Sequence, residues 1–194
     1  MLSDFLRLIK GFILFIGPSE AGKTSILRRL VTGEFHDPQP TLGFREENVA
    51  KVRIIEIGGQ PSFRKYWEVA LEQNPVRIFF VIDVTKENDY TEYLHFHETY
   101  PAYRSLSLLT INKIDLITMP PDYLSNISQN HIFCSAKSGE GMLDILEAIA
   151  SFKKEAEVET PLRHRSEGFS MENIADKDER EEINSIMKEF EGKF

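Results

Sequence analysis

Residues Gly17-Pro18-Ser19-Glu20-Ala21-Gly22-Lys23-Thr24 follow the spacing G-x-x-x-x-G-K-[ST], and the apolar run Phe12 to Ile16 before them reads as the strand that feeds such a loop. The loop works at a strand-to-helix turn, where glycines let backbone N–H groups converge on phosphate oxygens. Lys23 supplies a point charge, and the Thr24 hydroxyl can ligate magnesium. The helix expected to start at Gly22 adds the positive end of its dipole. Glu20, Ala21, Gly22, Lys23, Thr24 and Ser25 are therefore the candidate phosphate contacts, and the motif points to a nucleoside triphosphate.

The chain has 194 residues, room for one α/β domain with terminal appendages. A formal net charge of -8 speaks against a general nucleic-acid binder, which needs a surplus of Lys and Arg on one face. Cys134 is the single cysteine, so no intrachain disulfide forms, and no signal-peptide pattern is evident. Both features predict a reducing, cytoplasmic setting. The longest apolar runs, Phe12 to Ile16 and Ile78 to Ile82, fall far short of the ~20 residues that span a bilayer. Any membrane contact is expected to be peripheral.

Periodicity divides the chain into three parts. Residues 1–10 gather Leu2, Phe5, Leu6, Leu8 and Ile9 on one side of an amphipathic helix. Residues 11–154 alternate strand and helix patterns. Ile26, Leu27, Leu30 and Val31 stripe a helix that Gly33 ends. Phe44 to Ile57 has the length of a hairpin with a turn near Asn48, and its second arm is Val52 to Ile57. Ile78 to Val84, Leu106 to Ile111 and Ile132 to Ser135 read as buried parallel strands, because their apolar residues are continuous rather than alternating. Helical patterns occupy about Phe63 to Glu72 and Asp89 to Tyr100, and Met142 to Phe152 carries a strong apolar stripe. Such alternation predicts a three-layer, doubly wound, mostly parallel α/β sheet. Residues 155–194 read as a charged linker followed by a short amphipathic helix through Ile183, Ile186, Met187 and Phe190.

Four further elements follow the phosphate loop in order: Pro40-Thr41-Leu42-Gly43-Phe44, Glu56-Ile57-Gly58-Gly59-Gln60, Asn112-Lys113-Ile114-Asp115 and Ser135-Ala136-Lys137. A carboxylate at Asp115 can accept from the N1 and N2 groups of guanine, which adenine cannot offer in that arrangement. Together the elements resemble the small GTPases, and over residues 11 to 153 they are most similar to the ADP-ribosylation-factor (Arf) and Arf-like family. PTLGF resembles that family's switch I and GGQPSFRKYW its switch II.

The resemblance implies a P-loop G domain that binds GTP or GDP with Mg2+ and hydrolyses GTP. Asn112 would brace the base, Lys113 and Lys137 would lie along its faces, and Ser135 and Ala136 would complete the pocket, the Ala136 N–H reaching O6. Thr41 and the Gly59 N–H would sense the γ-phosphate, Gln60 would orient the attacking water, and Lys23 and Thr41 would assist it. Magnesium would be held by Thr24 and Thr41, and through water by Glu56, which stands where the family usually has aspartate. Slow unaided hydrolysis is expected, with dependence on an activating protein, alongside an exchange factor and effectors.

The hairpin is shorter than the Arf pattern; in that family it slides on GTP binding and expels the N-terminal helix. That helix would bind membranes reversibly, without a myristoyl chain, since Leu2 stands where the acceptor glycine would be. A rival reading is a constitutively GTP-bound scaffold subunit, similar to receptor-associated GTPases. His95 and His97 lie on nearly opposite sides of a helix and share no metal, Cys134 reads as buried packing, and Trp67 as a hydrophobic contact that changes environment with nucleotide.

Overall fold

Strand β1 (Ile13–Ile16) has no exposed side chain because it lies mid-sheet with helices on both faces. The computed structural model describes residues 11–124 and 130–158, the last seven, 152–158, as backbone only. The helix expected over residues 1–10, and the linker and helix expected after residue 158, lie outside the described residues. From β1 the chain continues through α1 (Lys23–Thr32), β2 (Phe44–Val49), β3 (Val52–Ile57), a 3-10 turn (Pro61–Phe63) and α2 (Lys65–Leu71). Then follow β4 (Arg77–Asp83), α3 (Glu87–Thr99), β5 (Ser107–Asn112), β6 (His131–Phe133) and α4 (Met142–Val158).

The strands run in the order β2-β3-β1-β4-β5-β6, all parallel except β2, which pairs antiparallel with β3. This is the doubly wound, mostly parallel sheet expected from the sequence. Successive residues of one strand enter opposite cores. Leu14, Ile16, Ile55, Phe80 and Ile82 pack under α2 and α3, with Trp67 and Phe96. Ile13, Phe15, Ile54, Phe79 and Val81 pack under α1 and α4, with Leu27, Leu30, Ile145 and Ile149. The strand order reverses about β1, with β3 added on one side and β4 on the other, which places the carboxyl ends of β1, β4 and β5 around one crevice.

Boundaries moved where sequence carries little turn chemistry. Gly22 is not the first helical residue; at φ 90 it caps α1, which begins at Lys23. The helix expected over Phe63 to Glu72 is shortened to α2, because the Phe63 and Arg64 N–H groups bond three residues back, to the Gln60 and Pro61 carbonyls, in a 3-10 turn. The expected strand Ile132 to Ser135 is His131–Phe133, and that over Leu106 to Ile111 is Ser107–Asn112. The hairpin turn expected near Asn48 lies two residues farther on. It is formed by Ala50 and Lys51, at φ 50 and 64, because the ladder stays in register through Val49 opposite Val52.

Two adjacent positive-φ residues give the primed turn that suits strand twist, yet neither is Gly or Asn. A non-glycine residue in this region costs about 1 kcal/mol. Lys51→Gly is expected to stabilise the chain by about that amount, read as a higher midpoint in urea unfolding.

Candidate functional site

The loop after β1 is closed by glycines at two close approaches. At Gly17, φ 133, a Cβ would overlap the Val81 carbonyl of β4, and at Gly59 it would overlap the backbone of Pro18 and Ser19. Gly59 is therefore pressed onto the loop. Inside the curl, Lys23 Nζ donates to the carbonyl oxygens of Gly17 (2.8 Å) and Pro18 (2.7 Å). Its side chain is buried, and desolvation pulls its pKa from 10.5 down to about 8, against the attraction of Glu56, Glu92 and Asp89.

Beside it, the Thr24 hydroxyl donates to Glu56 Oε1 at 2.5 Å and lies 3.0 Å from the Thr41 hydroxyl, which reaches the same carboxylate oxygen at 3.3 Å. Burial raises the Glu56 carboxyl above its usual range despite the Thr24 hydrogen bond and Lys23. Glu56 Oε2 is buried without a partner. These are hard oxygen donors. Octahedral magnesium with bonds of about 2.1 Å sets neighbouring oxygens about 3.0 Å apart, and the two hydroxyls stand 3.0 Å apart. The set therefore fits magnesium, with Glu56 accepting the Thr24 proton and its free oxygen left for a water. Glu56 is thus held beside the two hydroxyls through its bond from Thr24. Among the described residues no cluster of three or more His, Cys, Asp or Glu could hold a metal.

At the other end, β5 terminates in Asn112, whose Nδ2 donates to the Ala21 carbonyl (2.8 Å) while Oδ1 accepts from the Ala136 N–H (3.1 Å). Lys113 follows at φ 66, and its Nζ donates to Asp83 Oδ2 at 2.7 Å. Asp115 Oδ1 accepts from the Ser135 hydroxyl at 2.5 Å, which leaves the second carboxylate oxygen free. A cavity of about 600 Å³ joins the two ends. Glu20, Gly22, Lys23, Thr24, Ser25, Thr41, Glu56, Gly59, Gln60, Asn112, Lys113, Asp115, Ala136 and Lys137 line it, so all the candidate residues meet there except two. Ala21 and Ser135 are buried behind the wall and act on it through Asn112 and Asp115.

Asp83 went unnoticed in the sequence. Burial alone would raise its carboxyl, but hydrogen bonds from Lys113 and from the Thr85 hydroxyl and N–H hold it below the usual range. The only signal was an acid ending an otherwise apolar run. His97 is buried and its pKa is pulled down by desolvation, while His95 is exposed, so the two share no site. Cys134 is buried, and burial pushes its thiol up, in keeping with inert packing.

The profile of the ADP-ribosylation factor family matches residues 4–152. The chain belongs to that family. It is 36% identical over 113 residues to ADP-ribosylation factor of Encephalitozoon cuniculi, covering 54% of each protein. To ADP-ribosylation factor-like protein 1 of Saccharomyces cerevisiae it is 38% identical over 80 residues, 39% of this chain and 43% of that protein. With ADP-ribosylation factor-like protein 3 of Caenorhabditis elegans the identity is 31% over 163 residues, 74% of this chain and 88% of the relative. The matched segment thus spans about half the length of the first two relatives and most of the third. The Arf-family profile encloses every residue of the cavity wall.

For this Arf-family chain the Lys23 shift has a definite sign. Between about pH 8 and 10.5 the unfolded chain binds more protons at this lysine than the ligand-free fold, so ligand-free stability rises with pH across that window. A phosphate-bearing ligand would favour the charged form of Lys23. Its affinity is expected to fall as pH rises above about 8, with proton uptake on binding, measured by calorimetry in buffers of different ionisation enthalpy.

Proposed function

We propose that the chain is a GTP-binding and GTP-hydrolysing switch of the Arf-like type. The observation that carries this reading is Asp115, fixed by Ser135 at the end of the cavity remote from Lys23, with one carboxylate oxygen free. A guanine offers two donors to such a carboxylate, and the Ala136 N–H stands beside it on Asn112. Lys113 and Lys137 would enclose the base; Lys23 and the N-terminus of α1 would hold the phosphates.

Magnesium, held by Thr24 and Thr41 with Glu56 behind them, would neutralise charge on the phosphate oxygens. Gln60, on the cavity wall next to Gly59, would orient a water toward the terminal phosphate. Thr41 and Gly59 contact the site from separate loops, so loss of the terminal phosphate would release both, and effectors would read that difference. Among the described residues no arginine lines the cavity. An activating protein would provide one, and unaided turnover would be slow, on the order of 10⁻⁴ per second.

The chain would act in the cytoplasm, reversibly peripheral to membranes through residues 1–10, with an exchange factor to reload it. No described helix is long and apolar enough to cross a membrane. The constitutive scaffold reading has no feature of the site in its favour.

Exchanging Asp115 for Asn replaces an acceptor with a donor facing N1 and N2. Asp115→Asn is expected to lose GTP affinity by about 10²-fold or more and to gain xanthosine triphosphate, whose C2 oxygen accepts. Equal retention of guanine, adenine and xanthine nucleotides by the unaltered chain would defeat the reading. Gln60→Leu is expected to abolish hydrolysis stimulated by an activating protein while leaving GDP dissociation unchanged, read by single-turnover assay and by release of a fluorescent GDP.

A further inference from the structure

Gln60 opens a tight turn whose two ends are fixed in different ways. At its start, Gly59 is wedged against the backbone of Pro18 and Ser19. Inside it, the Phe63 N–H donates to the Gln60 carbonyl (2.8 Å) and the Arg64 N–H to the Pro61 carbonyl (3.3 Å). The placement of Arg64 is thus transmitted to Gln60 through two short backbone links. Arg64 in turn donates from Nη2 to Glu92 Oε2 of α3 at 2.7 Å.

The pairing is matched by a second, apolar one. Arg64 has helical φ and ψ, so Trp67 three residues on faces the same way, and its ring meets Phe96 edge-on at 6.2 Å and Phe80 at 5.8 Å. Glu92 and Phe96 are four apart on α3 and share a face. Two neighbouring points on the switch-side helix therefore meet two neighbouring points on α3, one ionic and one aromatic. The Glu92 side chain is only 17% exposed, and its second oxygen, Oε1, is buried without a partner. A carboxylate held this far from water for one exposed arginine has a use beyond solubility.

We propose that Arg64 and Glu92 are positioning residues for Gln60: their ion pair clasps the 60–64 turn to α3, with Trp67 as the pivot. This rests on the GTPase reading of the site and names what holds its water-orienting residue in place. Without the pair, Trp67 keeps α2 on the core, while the turn can swing about it and carry Gln60 from the loop. A misplacement near 1 Å is enough to slow a positioned reaction strongly.

The test uses the full chain loaded with GTP and magnesium. Glu92→Gln and Arg64→Gln should each slow single-turnover hydrolysis by about tenfold or more, with release of fluorescent GDP changed less than about twofold. The emission of Trp67, the single tryptophan of the sequence, should stay unshifted in both, since the pivot remains buried. The charge swap Arg64→Glu with Glu92→Arg should recover most of the rate. Hydrolysis at the unaltered rate in both single variants, a swap no faster than they are, or nucleotide release that accelerates in step with the loss of hydrolysis would overturn the proposal. Should Glu92→Gln fail to fold, the more exposed Arg64→Gln decides alone. If the unaltered chain holds no guanine nucleotide, the functional reading falls with it; unchanged rates in variants of an active chain remove the clasp alone.

Discussion

The Asn112 side-chain amide is the joint on which the site depends. Its nitrogen donates to the carbonyl of Ala21 in the phosphate loop, and its oxygen accepts from the Ala136 N–H after β6. Residues remote in sequence are thereby set at fixed distances at the carboxyl ends of β1 and β5. Asn112 is almost wholly buried, where each hydrogen bond is stronger than in water and each orphaned partner is costly, about 1–3 kcal/mol. Neither Asp nor Leu could replace it, since one has no donor and the other neither group. The amide fits because Gly22 has no Cβ, which would overlap Nδ2. A glycine chosen for its left-handed φ in the loop also makes room for the residue that organises the opposite end.

Electrostatics at the phosphate end run against the fold. Lys23 is buried among carbonyl oxygens, and Glu56 is buried beside two hydroxyls with one oxygen unpartnered. Burial pushes the lysine down and the carboxyl up, each toward its neutral form. A ligand with phosphate oxygens and a divalent cation would relieve both groups at once. Binding energy and folding stability are therefore linked, and the ligand-free chain gives up some stability to keep the site preformed.

What could be read from the sequence was whatever is local or strongly ordered. Ile13–Ile16, Arg77–Asp83 and Ser107–Asn112 declare themselves as strands because both their faces are buried. The motif order then places their loops in one crevice. The Ala50-Lys51 turn was illegible, since neither residue favours a positive φ and only the ladder register imposes it. Asp83 and Glu92 were illegible for a different reason. Their partners, Lys113 and Arg64, are distant in sequence, and nothing in the local pattern distinguishes them from other acids at a strand end or on a helix. The short reach from Glu56 to Thr24 was equally illegible, because it depends on how β3 abuts β1.

That abutment decides what the extra methylene of Glu56 does. The Cα of Glu56 is in register with Phe15 on one side and Arg45 on the other. Just beyond it, Gly58 is packed under the Thr41 carbonyl and Gly59 against Pro18 and Ser19, too close for a Cβ at either. The backbone can neither retreat nor slip, so the longer side chain must extend into the site. There its oxygen meets the hydroxyls of both Thr24 and Thr41. An aspartate from the same Cα would fall about 1.5 Å short of that position. In this chain one carboxylate thus ties the phosphate loop to Thr41 directly. The coupling of the two loops is built into β3 as well as into any ligand they share.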